Sequence, residues 1–134
     1  MLIDARLDVI GLVVADMATS LAFYRRLGLD LSAEADEQPH VEVTVPGGLR
    51  LAFDSEEVIR SFAPDWQPPD RAGRVSLAFR VDGPQDVDAA YAELVGAGYH
   101  GERVPWDAFW GQRYAVLHDP HGNTVDLFAP LDGG

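Results

Sequence analysis

The chain has 134 residues, enough for one domain that buries roughly two-thirds of its unfolded surface without help from a disulfide or structural metal. It contains no cysteine, and all ten of its basic residues are arginine, which excludes thiolate nucleophiles, thiolate metal sites, Schiff-base chemistry and a Walker-type phosphate loop. Twenty-two acidic residues leave a formal charge of −12, a field that repels nucleic acid and anionic membranes and draws cations.

MLIDARLDV lacks the apolar core of a secretory signal, and no run approaches ~18 apolar residues, so a cytoplasmic protein that crosses no membrane is expected. Residues 7–14, LDVIGLVV, are apolar and rich in β-branched side chains and read as a mostly buried strand. Asp16 stands where an N-cap belongs, and Met17, Leu21, Tyr24 and Leu27 recur at helical spacing up to a stop at Gly28. HVEVTV (40–45) alternates with period two, placing Val41, Val43 and Val45 on one face and His40, Glu42 and Thr44 on the other. Pro46, Gly47 and Gly48 turn the chain into a returning strand at 49–53. Residues 55–63 read as a short helix, and PDWQPPDRAG (64–73) as a linker whose Trp66 has no task that the sequence assigns.

The pattern then starts again. RVSLAFRV (74–81) is a second strand, Pro84 opens a helix, Val87, Ala90, Tyr91 and Leu94 form its apolar stripe, and Gly96 and Gly98 end it. Val14 and Val81, Tyr24 and Tyr91, and Leu27 and Leu94 are each 67 residues apart, which identifies an internal duplication. VPWDAFWGQRY (104–114) reads as an irregular segment that brings Trp106, Phe109 and Trp110 together, with Asp107 beside them to favour a cationic ligand. Residues 112–117 and 123–128 form a hairpin around DPHGN, and His118 and His121 are expected as ordinary solvated histidines near its tip. His100 lies beyond the second helix.

GLVVADMATSLAFYRRLGLDL, RVSLAFRV and RYAVLHDPHGNTVDLF together resemble the vicinal oxygen chelate superfamily, which includes glyoxalase I, extradiol dioxygenases and bleomycin- and mitomycin-binding resistance proteins. The likeness runs from about Leu7 to Phe128 and specifies a fold more closely than a function. It implies an α+β domain over residues 1–134 with helices outside a cupped mixed sheet. Two βαβββ modules would span about 5–54 and about 73–130, with a linker at about 55–72. It also implies a homodimer.

Metal-using members of that superfamily carry two histidines and two carboxylates on inward strand positions, which fall here on Val9, Ala52, Ser76 and Asp126. Asp126 is an ordinary ligand for a divalent ion and Ser76 a weak one, while Val9 and Ala52 offer nothing, so no metal and no other cofactor is expected. Strand alternation gives an inner face of Val9, Gly11, Arg50, Ala52, Arg74, Ser76, Ala78, Thr124, Asp126 and Phe128. The expected function is metal-independent binding of a planar, cationic small molecule, in character closest to the antibiotic-binding resistance members. Trp106, Phe109, Trp110, His40, Glu42, Arg50, Ser76, Asp126 and Phe128 would contact the ligand. The alternative is a glyoxalase- or dioxygenase-like enzyme, with either a non-standard metal site around His40, Glu42 and Asp126 or metal-free acid–base catalysis by His40 and Glu42.

Overall fold

The chain folds as two units dividing between Pro68 and Pro69, each a small sheet with one face covered by helix. A computed structural model describes residues 3–69 and 75–131. Arg74 and the end of the Pro-rich linker, residues 70–73, lie outside the described residues.

In the first unit, strand β1 (Val9–Val14) runs into helix α1 (Met17–Arg26), where the Asp16 side chain accepts a hydrogen bond from the Thr19 amide at 3.2 Å. That bond satisfies one of the amides that a helix start leaves unpaired. Gly28 ends the helix at φ +96°, a left-handed conformation that residues with a side chain rarely adopt. A 3-10 turn (Ala33–Glu37) leads to the antiparallel strands β2 (His40–Thr44) and β3 (Arg50–Ser55), and helix α2 (Glu56–Phe62) follows directly, capped by Ser55. The strand order is β1-β3-β2, with β1 parallel to β3.

Register sorts the side chains of this sheet. Leu51, Phe53, Val14 and Val41 point to one side and are buried, with the Tyr24 ring of α1 lying 5.2 Å from Phe53. Burial of each such side chain contributes about 1.5–3 kcal/mol, so this layer holds the unit together. The other side carries Val9, Arg50 and Thr44 in one row, Gly11, Ala52 and Glu42 in the next, and Val13, Asp54 and His40 in the third.

The second unit repeats the plan with strand β4 (Ser76–Arg80), helix α3 (Pro84–Gly96) and strands β5 (Gly101–Ala108), β6 (Gln112–His118) and β7 (Thr124–Pro130). Its order is β4-β7-β6-β5, with β4 parallel to β7. Two sheets of three and four strands and three α-helices make this an α+β fold built on two βαβββ modules, with the 3-10 turn of the first standing in chain order where β5 stands in the second. The segment read as irregular is therefore largely strand: Val104 to Ala108 belong to β5, and only Phe109 to Gly111 form the turn into β6. Two register shifts along β5 break the alternation that would have announced it.

Val87 and Leu94 of α3 are buried, as are Ala115, Leu117, Val125, Leu127 and Ala129 of the sheet. The DPHGN segment is a turn held by Asp119, whose carboxylate accepts from the amides of His121 and Asn123 and from the Asn123 side chain. No helix among the described residues is long and apolar enough to cross a membrane.

Candidate functional site

The residues singled out from sequence fall into two groups, one on the helix-free face of each sheet. On the first sheet, His40 lies between two carboxylates: Nδ1 meets Asp54, and Nε2 meets Glu42 Oε2 at 2.7 Å. Glu42 also accepts from Arg50 at 2.6 Å, and Arg50 reaches on to Asp8 at 2.6 Å. The row of alternating charges is therefore Asp54, His40, Glu42, Arg50 and Asp8. The Asp54 hydrogen bond, followed by that to Glu42, holds the His40 imidazole above its ordinary pKa of 6.5. The His40 bond in turn holds Glu42 below the usual carboxylate range, and Asp8 pushes the Arg50 guanidinium up. A histidine engaged through both nitrogens and biased toward its charged form is poorly suited to accept a proton from a substrate.

Next to this row, a hollow of about 510 Å3 opens between the 3-10 turn and β2, lined by Asp30, Glu34, Gln38, His40 and Glu42 among others. It is wide open and polar, and no Phe, Tyr or Trp lines it. It offers a planar ligand no large ring to stack on.

The second sheet offers a different surface. Register places Ala78, Asp126 and Val116 in one row, Arg80, Phe128, Tyr114 and Trp106 in the next, and Ser76, Thr124 and His118 on the other side of Asp126. Asp126 is 6% exposed. Its Oδ2 accepts from the Tyr114 hydroxyl at 2.5 Å and from Ser76 Oγ at 3.3 Å, while its buried Oδ1 has no hydrogen-bond partner among the described residues. Burial first, and Asp126 second, push the Tyr114 phenol well up, so it stays a neutral donor.

Rings line the sheet on one side of this carboxylate. Tyr114 stacks against Phe128 at 6.2 Å, and Trp106 and Trp110 meet Tyr114 edge-on at 5.5 and 5.3 Å. Trp110 is half exposed, its indole N–H donating to Gln112 Oε1 at 2.9 Å. One face of Trp106 already holds the Arg103 guanidinium, 3.7 Å from the ring centroid. Phe109 sits at the turn, almost wholly exposed and edge-on to Trp110.

Two expectations change here. Asp107 adds no negative charge to the aromatic wall: it pairs with Arg113, which also binds Asp88 of α3 on the helix side of the sheet. Nor is His118 a solitary solvated histidine, since its ring lies 4.8 Å from that of His100. Tyr114 was not singled out from sequence, although the alternation of Tyr114, Val116 and His118 against the buried Ala115 and Leu117 marks it as facing away from α3.

The four positions at which metal-using relatives are expected to carry donors do not fit a divalent ion. In the first unit Val9 and Ala52 present only hydrocarbon. In the second, the Ser76 and Tyr114 hydroxyls spend their protons on one oxygen of Asp126, leaving a single carboxylate oxygen as the anionic donor. Three or four protein donors are the rule for such a site.

A four-stranded and a three-stranded sheet of duplicated plan, with a buried carboxylate on the helix-free face of the second, define a vicinal oxygen chelate protein. The chain belongs to the Glyoxalase/Bleomycin resistance protein/Dioxygenase superfamily, whose profile matches residues 6–127. It is 30% identical over 125 residues to the uncharacterized protein YaeR of Escherichia coli K12, covering 89% of this chain and 92% of YaeR. Among solved structures it is similar to a glyoxalase/bleomycin resistance protein/dioxygenase from Nocardioides, with TM-score 0.75, 26% identity, and coverage of 100% of this chain and 89% of that one. A family enzyme from Burkholderia phytofirmans PsJN shares the fold at TM-score 0.79 and 21% identity, covering 95% of this chain and all of that one.

Proposed function

We propose that the protein binds a planar, cationic small molecule without the help of a metal, on the aromatic face of its second sheet. The observation that carries this reading is Asp126, a buried carboxylate with one unpartnered oxygen whose other oxygen holds Tyr114, the ring that Trp106, Trp110 and Phe128 pack against. An unpaired buried carboxylate oxygen is costly, and a ligand N–H donor that displaced a covering side chain to reach it would offset that cost. A flat ring system would gain dispersion against the indoles, and a positive charge would gain from their faces as Arg103 already does. The bleomycin-resistance name within the superfamily agrees with such a role in drug sequestration. Acid–base catalysis is the weaker reading, because both ring nitrogens of His40 already hold carboxylates.

Titration with a cationic aminoacridine tests the proposal, with tryptophan emission and melting temperature as the two readouts. Saturable quenching and a raised melting temperature are expected. Asp126→Asn should weaken binding at least about tenfold, the equivalent of about 1.4 kcal/mol. If neither readout responds to aminoacridines or to bleomycin- and mitomycin-type drugs, the proposal fails.

A further inference from the structure

His100, Glu102 and His118 converge at the β5–β6 end of the second sheet, and none of them is among the residues assigned above to the aromatic ligand. The backbone builds the arrangement. The His118 amide donates to the His100 carbonyl at 3.0 Å, which sets His118, the last residue of β6, opposite His100, the residue before β5. A register shift between Gly101 and Arg103 inserts Glu102 as the extra residue, and such a bulge re-aims a side chain. Gly101 is pressed onto α3 so closely that a Cβ there would lie 2.1 Å from the Tyr91 hydroxyl, which anchors the backbone between His100 and Glu102.

The distances separate two explanations. Glu102 Oε2 lies 3.3 Å from His100 Nε2 and 3.5 Å from His118 Nε2. A strong charge-assisted N–H···O bond runs about 2.7–2.9 Å, and the same chain makes one at 2.7 Å between His40 and Glu42. The longer spacings match the gaps between donors around a common ion: with metal–nitrogen and metal–oxygen bonds of about 2.0–2.2 Å, two ligand atoms of a tetrahedral site lie ~3.4 Å apart. One ligand atom from each residue falls within 4.8 Å of the other two. His100 and Glu102 are 64% and 54% exposed in their side chains, so their rotamers are free to close the remaining gap. Among the described residues no arginine pairs with Glu102, and the neighbouring Arg103 is turned onto Trp106.

We propose that His100, Glu102 and His118 form a binding site for a divalent first-row transition ion, with Zn2+ as the representative. Two imidazoles and one carboxylate suit zinc, nickel or copper and disfavour Mg2+ and Ca2+, which take oxygen donors. Three protein ligands leave a position open to water or an external donor. The site uses none of the residues assigned to the aromatic ligand, so either proposal stands or falls without the other.

The test is a Zn2+ titration of the chelator-stripped full-length protein in competition with a chromophoric indicator, with melting temperature as a second readout. One equivalent of Zn2+ per chain and a raised melting temperature are expected, with neither effect from Mg2+. His100→Gln, His118→Gln and Glu102→Gln should each weaken binding at least about tenfold, and the double histidine variant should abolish it. His40→Gln and His121→Gln should leave it unchanged. Glu102→Gln keeps the shape of an exposed side chain, and metal-free melting temperatures of all variants report whether the fold survives. Absence of stoichiometric binding at ~100 µM Zn2+, or binding that persists in the folded double variant, overturns the proposal.

Discussion

Single residues carry their chemistry here through what they touch, and His40 shows the sign of the effect. With its pKa raised above 6.5 by Asp54 and Glu42, its contribution to stability is fully present below pH 6.5 and is lost as pH rises through the raised value. Glu42 behaves oppositely: held below 4.5, its contribution is present above that pH and is lost as pH falls through the lowered value. The charge row on the first sheet is therefore most complete between about pH 4.5 and 6.5. An NMR titration should give a His40 midpoint above 6.5, and Asp54→Asn should lower it more than Glu42→Gln does, because the Asp54 bond is the larger cause. A midpoint at or below 6.5 in the unaltered protein would show that the row does not form. Period-two alternation in HVEVTV already put His40 and Glu42 on one face, but their partners Asp54 and Arg50 come from β3 and Asp8 from the segment before β1, which no local pattern brings together. The Asp126 face divides in the same way: Asp126, Phe128 and the tryptophans stand out by type, whereas the unpartnered state of Oδ1 exists only once Tyr114 and Ser76 have taken Oδ2.

At the scale of elements, legibility followed regularity. α1 announced itself by cap, stripe and glycine stop, α3 by its opening proline, stripe and glycine stop, and β1 by an unbroken apolar run. The 3-10 turn at Ala33–Glu37 has no side-chain cap bond, and β5 carries two register shifts and Pro105, so neither presents a period to read. β5 owes its position to tertiary contact instead, and Gly101 is where that contact is tightest. An alanine Cβ there would stand 2.1 Å from the Tyr91 hydroxyl and 2.8 Å from Cζ, so the ring or the helix has to shift. Gly101→Ala should therefore cost about 1–3 kcal/mol in urea unfolding, the usual range for overpacking. Because the contacts under 3 Å are all with Tyr91, with Val95 Cγ2 next at 3.1 Å, Tyr91→Leu should recover part of that loss, and the double-mutant cycle should show clear non-additivity. Independent, additive effects would place the strain elsewhere.

Across the whole molecule, duplication and charge are the two properties the sequence displays most openly, and they limit each other. The 67-residue offset holds from β1 through α1, but β3 and β7 begin at Arg50 and Thr124, 74 residues apart, because the second copy has spent extra residues on β5 and its turn. β5 and its turn bring Trp106 and Trp110 to the aromatic wall and Glu102 to His100 and His118, so the halves share a scaffold and differ in their chemistry. The charge of −12 belongs to neither half alone and acts at range on anything that approaches. In about 10 mM salt the Debye length is ~30 Å, and an incoming cation senses most of this charge; near 1 M it is ~3 Å, and only Asp126 and its immediate neighbours still matter. Binding of a cationic aminoacridine should therefore weaken severalfold between these salt concentrations, chiefly through a slower association rate, while an uncharged planar analogue binds with little change. Equal salt sensitivity for the two ligands would mean that the acidic surface serves solubility alone. A cation whose affinity ignores salt would mean that the contact with Asp126 supplies nearly all of the electrostatic recognition.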